Sequence, residues 1–297
     1  MPTEARTVSH PMLPRPEDEE LDMFGLTHKG KVRKDNQDHF LLATVHPQIA
    51  VLGTSLPDVD SLPLRGTRLG TILLVADGVG GLTDGAYAAQ VATETVARYV
   101  TSSLRCYHAV GSANDTEFLY ALRDAALHAH HAVRGEAMAR TDQRRMATTL
   151  TLGMVVYPWL YVVQVGDSRA YVFSGGKLHQ VTRDQTLAQQ LVDQGAMRPE
   201  DLRRSPLNNV LASAVGSDEA EPVVSRVDVS ERGCVLLFCS DGLTKHVSDK
   251  EITDKCAAIK SAEQVARDLL ALALERGGSD NVTIIAARAP MTRRASR

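Results

Sequence analysis

The chain has 297 residues, of which 43% are hydrophobic and 23% are charged, and its formal net charge is −3. These values are ordinary for a globular protein with a sizeable core, and they exclude collagen-like, coiled-coil and intrinsically disordered classes. A mildly acidic chain is also a poor candidate for a nucleic-acid binder, because that affinity depends on clustered Lys and Arg. We therefore expect no nucleic-acid partner.

The predicted elements alternate in blocks rather than as a strict β-α-β pattern. In chain order they are strands over 24–28, 37–45 and 71–76, helices over 85–104 and 116–138, strands over 148–157, 159–165, 169–173 and 177–181, a polar helix-prone stretch over 184–209, strands over 222–229 and 234–239, two helices, and a strand over 281–288. The last two helices open with the capping-box patterns Ser248-x-x-Glu251 and Ser261-x-x-Gln264. Such blocks favour an α+β fold in which helix pairs cover packed sheets.

The two ends differ in composition from the rest of the chain. Residues 1–21 are rich in proline and acidic residues and lack the apolar segment of a signal peptide, so we expect a flexible tail. Residues 291–297 are predicted to form a basic C-terminal tail. No linker composition divides residues 22–290, which we therefore predict to be one domain.

Cysteine use and hydropathy indicate the cellular setting. The four cysteines, Cys106, Cys234, Cys239 and Cys256, form no CxxC pair. This pattern predicts buried, reduced thiols rather than a zinc site or a disulfide framework, and it favours a cytoplasmic protein. No apolar run approaches the ~18 residues of a membrane helix, so we expect no membrane partner.

Aspartates recur where apolar strands end. Asp77, Asp167 and Asp241 each follow such a run, Asp280 precedes one, and Asp38 leads into the strand over 37–45. Each one alone fits ordinary turn chemistry, because Asp-Gly commonly follows a strand. Together they also fit a metal site, since converging carboxylates repel one another unless a cation neutralises them, and oxygen-only ligands suit Mg²⁺ or Mn²⁺. Spacing alone leaves both interpretations open.

Five short segments occur in a recognisable order across nearly the whole chain. They are RKDNQD (33–38), VADGVGG (75–81), VGDSR (165–169), CSDGL (239–243) and GSDNV (278–282). In this order they resemble the motifs of the PP2C family of metal-dependent protein phosphatases, and the variant motifs look bacterial. Residues 148–150 and 182–184 also resemble family positions.

The resemblance implies an α-β-β-α sandwich, in which two antiparallel sheets are flanked by helix pairs and a metal centre lies at one end. It also implies hydrolysis of phosphoserine and phosphothreonine on proteins by a water that bridges two Mn²⁺ or Mg²⁺ ions, about 3.5–4 Å apart. We expect phosphorylated proteins as substrates, a Ser/Thr kinase that the enzyme opposes, and a monomer. The cysteines show no nucleophile loop of the kind that thiol phosphatases use.

The resemblance also assigns metal ligands by position. Asp77 would bridge the two core ions, and the backbone carbonyl of Gly78 would bind one of them. Asp241 and Asp280 would bind the first ion, and Asp38 would reach the second directly or through its waters.

Three further positions complete the implied site. Asp167 matches the aspartate that helps to bind a third, weaker ion in bacterial members. Asn281 would orient the loop that carries Asp280. Arg33 matches the arginine that holds the substrate phosphate, and its planar fork of donors fits two phosphate oxygens in a way that Lys could not copy.

One segment and one substitution qualify the resemblance. The stretch over 184–209 corresponds to a flap beside the metal centre, where Arg203 and Arg204 could help to seat protein substrates. Val79 stands where eukaryotic members often carry a His proposed as the general acid, and a valine cannot transfer a proton. The identity of the acid is therefore open.

Two rival functions remain at the level of sequence. The chain could be a phosphatase dedicated to one regulatory protein, which would differ from a broad enzyme in its peptide range. It could also be a pseudophosphatase that binds phosphoproteins without turnover. The intact set of aspartates counts against the second alternative.

Overall fold

Two antiparallel sheets stack face to face and carry helices on their outer faces. In this computed structural model the described residues are 14–52, 54–55, 64–79, 84–102, 115–139 and 146–290. Their strands are β1 (Asp22–His28), β2 (Asp38–Val45), β3 (Gly70–Val79), β4 (Ala147–Thr148), β5 (Leu150–Val156), β6 (Trp159–Val165), β7 (Arg169–Ser174), β8 (Lys177–Gln180), β9 (Val223–Asp228), β10 (Val235–Cys239) and β11 (Val282–Arg288). Their helices are α1 (Asp84–Ser102), α2 (Asp115–Ala139), α3 (Leu187–Asp193), α4 (Asp241–Thr244), α5 (Asp249–Ala257) and α6 (Ala262–Glu275).

The strand order places distant parts of the chain side by side. The first sheet runs β1-β11-β10-β7-β8, and the second runs β2-β3-β5-β6-β9 with β4 paired to β3. Neighbouring strands are antiparallel throughout both paths. The predicted α+β sandwich is confirmed.

Three apolar layers hold the sandwich together, and the period-2 alternation of the strands divides side chains among them. Along β3, Leu73 and Val75 enter the layer between the sheets, where Phe238 is also buried. The intervening Ile72 and Leu74 pack with the inner faces of α1 and α2. Residues of β7, β10 and β11 form the third layer with α5 and α6.

The predicted capping boxes open α5 and α6, although only the first is complete. Ser248 accepts a hydrogen bond from the Glu251 amide, and the Glu251 carboxylate accepts one from the Ser248 amide. At α6, Ser261 caps the Gln264 amide, but the Gln264 side chain accepts its hydrogen bond from the amide of Lys260. Polar serine caps therefore begin both helices, as expected.

The structure extends one predicted strand. We expected a strand over 71–76 that ended before Asp77, but β3 continues to Val79 because Gly78 and Val79 pair with β4. The long-range pairing overrides the turn tendency of Asp-Gly. Asp77 therefore lies in a paired strand rather than in a free turn.

Part of the predicted N-terminal tail is packed against the sandwich. Asp18–Glu20 form a 3₁₀ turn, and the buried Arg68 donates to Asp18 and, at 2.7 Å, to the Pro16 carbonyl. A buried guanidinium needs such acceptors, which accounts for the docking of this segment. Residues 14–20 of the predicted tail therefore contact the sandwich in this structure. Residues 1–13 and the predicted tail over 291–297 lie outside the described residues.

The described cysteines are buried free thiols, as predicted. Burial raises the pKa of Cys234, Cys239 and Cys256 to about 12 in each case, so none is a ready nucleophile. Cys106 lies outside the described residues. Among the described helices, none is both long and apolar enough to cross a membrane.

Candidate metal centre

Two aspartates face each other across neighbouring strands at one end of the sandwich. Asp38 begins β2, and the antiparallel register places it opposite Asp77 on β3. The Asp38 carboxylate is 3% exposed, and its Oδ2 accepts hydrogen bonds from the hydroxyls of Ser240 and Thr283, both at 2.7 Å. These two donors come from the first sheet. They connect the Asp38 carboxylate, on the second sheet, to the first sheet.

The strand around Asp77 is held rigidly and admits only glycine at the next position. The Asp77 amide donates to Thr149 Oγ1 at 3.0 Å, and its carbonyl accepts from the Thr149 amide at 2.8 Å. A Cβ on Gly78 would lie 2.3 Å from the carbonyl oxygen of Gly85, so any side chain would push the backbone away.

Asp241 and Asp280 lie next to strands of the first sheet and share one cation, Lys245. Asp241 begins α4 directly after β10, and Asp280 precedes β11. The Lys245 ammonium lies 2.5 Å from Asp241 Oδ2 and 2.7 Å from Asp280 Oδ2. Arg33 also binds Asp280, with Nε 2.7 Å from Oδ1 and Nη2 3.0 Å from Oδ2.

Asp167 reaches the same place from the connection between the sheets. It lies between β6 and β7 and is 8% exposed. The preceding Gly166 has a φ of 103°, which favours glycine, and its amide donates to Gln185 Oε1 at 2.7 Å. The turn that presents Asp167 is thus fixed from the base of the predicted flap.

Asn281 links the Asp280 loop to the segment that carries Arg33. Its side-chain amide donates to the carbonyls of Lys29 and Asp35, both at 2.9 Å, and its Oδ1 accepts from the Gln37 amide at 2.9 Å. This buried side chain satisfies three backbone groups of one loop. Its geometry suits the orienting role that the resemblance implied.

Burial and mutual repulsion dominate the electrostatics of the carboxylates. Burial raises the pKa of Asp77 and Asp167 well above the ordinary value, and neighbouring aspartates raise each further. Burial likewise raises the pKa of Asp241, although Lys245 opposes the rise. At Asp280 burial is outweighed by Lys245 and Arg33, so the pKa is lowered. The charged forms of Asp77, Asp167 and Asp241 are therefore unfavourable unless a nearby cation compensates them.

The donor set fits divalent ions. Asp38 Oδ1 and Asp241 Oδ1 are buried and have no hydrogen-bond partner in the part of the chain that the structure describes. Buried oxygens of this kind are costly unless something binds them. Among the described residues, no three Asp, Glu, His or Cys side chains lie close enough together, as they stand, to hold one metal ion. Asp241 and Asp280 instead direct one carboxylate oxygen each toward the Lys245 ammonium.

One cavity gathers most of the predicted site residues. Its lining includes Arg33, Asp77, Gly78, Asp167, Asp241, Asp280 and Asn281. Asp38 lies beneath it as a buried side chain. The flap reaches the cavity through Asn209, whereas Arg204 is exposed on a 3₁₀ turn (Pro199–Arg204) and is absent from the lining. The side chain of Arg203 lies outside the described part of the structure.

Sequence reasoning missed Lys245 and the two hydroxyls on Asp38. The i, i+4 spacing from Asp241 was a visible signal for Lys245 once a helix was assumed to start there. Nothing local pointed to Ser240 or Thr283, since their common target lies more than 200 residues away.

Comparison with known proteins identifies the family of this chain. A family model described as protein phosphatase 2C matches residues 51–275. The chain belongs to the protein phosphatase 2C family. The resemblance seen in the motifs is thereby confirmed.

Two bacterial serine/threonine phosphatases illustrate the similarity in sequence. PstP, a serine/threonine protein phosphatase of Mycobacterium tuberculosis, is 34% identical over 226 residues, which are 75% of this chain and 40% of PstP. The chain therefore spans about 40% of the length of that relative. The serine/threonine phosphatase stp of Listeria welshimeri is 28% identical over 259 residues, which are 87% of this chain and 92% of stp.

A solved structure of this family shows the same fold. The catalytic domain of PstP in complex with two manganese ions matches with a TM-score of 0.69 at 28% identity, over 91% of this chain and 98% of that one. The two manganese ions belong to that protein.

Proposed function

We propose that the chain is a metal-dependent protein phosphatase that hydrolyses phosphoserine and phosphothreonine. The observation that carries this proposal is the convergence of carboxylates from both sheets at one cavity. Within the described part of the chain, the buried Asp38 Oδ1 and Asp241 Oδ1 have no hydrogen-bond partner. Membership of the protein phosphatase 2C family supports the same activity.

We assign the metal ligands by combining the geometry with the family resemblance. Asp77 would bridge two ions and the Gly78 carbonyl would bind one of them. Asp241 and Asp280 would hold the first ion, and Asp38 would hold the second. Asp167, alone on its turn, would contribute to a weaker third site.

Two bound Mn²⁺ or Mg²⁺ ions would neutralise charge on the phosphoryl oxygens and make a water nucleophilic for in-line attack. The rigid strand backbone around Asp77 and the loop held by Asn281 fix the carboxylates before substrate arrives. Such preorganisation is the main source of electrostatic catalysis, since no reorientation is needed during the reaction.

We infer that Arg33 binds the substrate phosphate. Its side chain is 52% exposed at the mouth of the cavity, where Asp280 now occupies two of its donors. If Asp280 instead held a metal ion, the guanidinium fork of Arg33 would be available to two phosphate oxygens. Arg33 would then bind and orient the phosphate.

We further propose the biological setting and the part played by the flap. The chain would act in the cytoplasm as a monomer on phosphorylated proteins and oppose a Ser/Thr kinase. The stretch over 184–209 would seat protein substrates through Arg203 and Arg204. Arg203→Ala combined with Arg204→Ala should impair turnover of a phosphoprotein and leave that of p-nitrophenyl phosphate almost unchanged. Equal losses on both substrates would mean that the flap supports the metal centre instead.

The activity is tested with a phosphothreonine peptide in the presence of Mn²⁺, Mg²⁺ or chelator. Turnover should need a divalent ion, and Asp77→Asn or Asp241→Asn should reduce it by at least about 10²-fold, as the loss of a transition-state electrostatic interaction does. Asp254→Asn is the matched control, because this aspartate is 61% exposed on α5 and outside the cavity. Activity near that of the unmodified protein in Asp241→Asn at saturating metal would refute the assigned centre.

A further inference from the structure

Lys245 is the one cationic side chain of the described cavity that contacts both Asp241 and Asp280. Its ammonium lies 2.5 Å from Asp241 Oδ2 and 2.7 Å from Asp280 Oδ2. The chain turns at α4 so that the Lys245 amide also donates to the Asp241 carbonyl at 2.8 Å. Lys245 is therefore anchored one helical turn after a proposed ligand, with its charged end between two of them.

This arrangement differs from an ordinary surface ion pair. Lys250 and Asp254 on α5 have the same i, i+4 spacing, but their side chains are 83% and 61% exposed. The Lys245 and Asp241 side chains are 28% and 18% exposed, and a carboxylate from a different element completes the contact. A solvated pair such as Lys250 and Asp254 contributes little to stability. The contacts of Lys245, in contrast, are charge-assisted hydrogen bonds within an acidic cavity.

An ammonium in this position competes with a divalent ion for Asp241 Oδ2 and Asp280 Oδ2. Mg²⁺ binds carboxylate oxygens at about 2.0–2.1 Å, which is closer than the ammonium lies to either oxygen. Two cations cannot share that space. The side chain can vacate it, however, because lysine has a flexible four-carbon stem and the position lines an open cavity.

We propose that Lys245 is a tethered cation that occupies the position between Asp241 and Asp280 in the metal-free protein and withdraws when a divalent ion binds there. Lys245 thereby raises the metal concentration at which the centre becomes loaded. It also neutralises the two carboxylates while no ion is bound. This inference rests on the proposed function, because the ion that displaces Lys245 is the catalytic one.

The test compares Mn²⁺ binding and metal-free stability in the same variants. Calorimetric titration with Mn²⁺ should show about 10- to 100-fold tighter binding in Lys245→Gln, the range that corresponds to one charge-assisted hydrogen bond. In chelator, the same variant should melt at a lower temperature, because Asp241 and Asp280 lose their counter-ion. Lys250→Gln is the matched control and should change neither quantity.

The decisive result is that Lys245→Gln binds Mn²⁺ more tightly but melts at a lower temperature in chelator. A cation that merely repelled Mn²⁺ from the rim would weaken metal binding without supporting the metal-free fold, so unchanged melting in chelator would overturn the proposal. Equal Mn²⁺ affinity in Lys245→Gln and the unmodified protein would also overturn it. If the unmodified protein and both variants bound no Mn²⁺, the metal centre and the proposed function would fail instead. Circular dichroism in saturating Mn²⁺ checks that Lys245→Gln is folded.

Discussion

Asp38→Asn should stabilise the metal-free protein even though it damages the centre. Burial, the largest cause, raises the pKa of Asp38 from 3.8 to about 6; the hydroxyls of Thr283 and Ser240 oppose this rise only in part, and repulsion from Asp241 adds a smaller increase. The difference corresponds to about 3 kcal/mol that the folded protein loses when Asp38 ionises. Asparagine keeps an oxygen for both hydroxyls and removes the charge.

The pH dependence follows from the direction of this shift. A carboxyl group with a raised pKa in the folded state contributes stability below its ordinary pKa, and that stability is lost as the pH rises through about 6. The increase in the free energy of unfolding caused by Asp38→Asn should therefore be small at about pH 4, about half complete at about pH 5, and about 3 kcal/mol above about pH 7.

Urea denaturation in chelator across this pH range measures the effect, with Asp254→Asn as the control for loss of an exposed carboxylate. In saturating Mn²⁺ the order should reverse, because the unmodified protein gains the binding energy of the ion. A destabilised Asp38→Asn protein at pH 8 in chelator, or a difference that does not vary with pH, would refute the buried-repulsion argument.

Three further changes test other parts of the site. Arg33→Ala should raise KM for a phosphopeptide and Arg33→Lys should recover little of the loss, because only arginine offers two parallel donors; an unchanged kcat/KM would place Arg33 outside substrate binding. Asn281→Ala should lower the free energy of unfolding by about 3 kcal/mol, since it leaves three backbone groups without partners, and a loss below about 1 kcal/mol in urea denaturation would contradict that role. Asp167→Ala should leave the two tightest Mn²⁺ sites intact in calorimetry while turnover falls; loss of the tightest site would contradict its assignment to a third ion.

Local patterns were sufficient to predict most of the fold. Alternation along strands such as β5 and β6, and serine caps such as Ser248, depend on short-range chemistry that is visible in the sequence. The continuation of β3 through Asp77 was not predictable in this way. It depends on pairing with Ala147–Thr148, about 70 residues away, and no local period encodes such a contact.

The site shows the same division between local and long-range causes. The aspartates could be predicted because each stands at a strand end, where loops gather on a rigid scaffold. The position of the Lys245 ammonium between Asp241 and Asp280 could not be predicted, because Asp280 lies in a loop 35 residues further along the chain. The docking of residues 14–20 was missed for a similar reason, since it depends on the buried charge of Arg68.

The most direct test of the metal centre is a crystal structure of the Mn²⁺-loaded protein with anomalous diffraction data. We expect two strong anomalous peaks in the cavity, both in contact with Asp77, with Asp241 and Asp280 on one ion and Asp38 near the other. The Lys245 ammonium should have left its position between Asp241 and Asp280. No peak beside Asp77, or a Lys245 that still bridges the two carboxylates at full metal occupancy, would contradict the assignment.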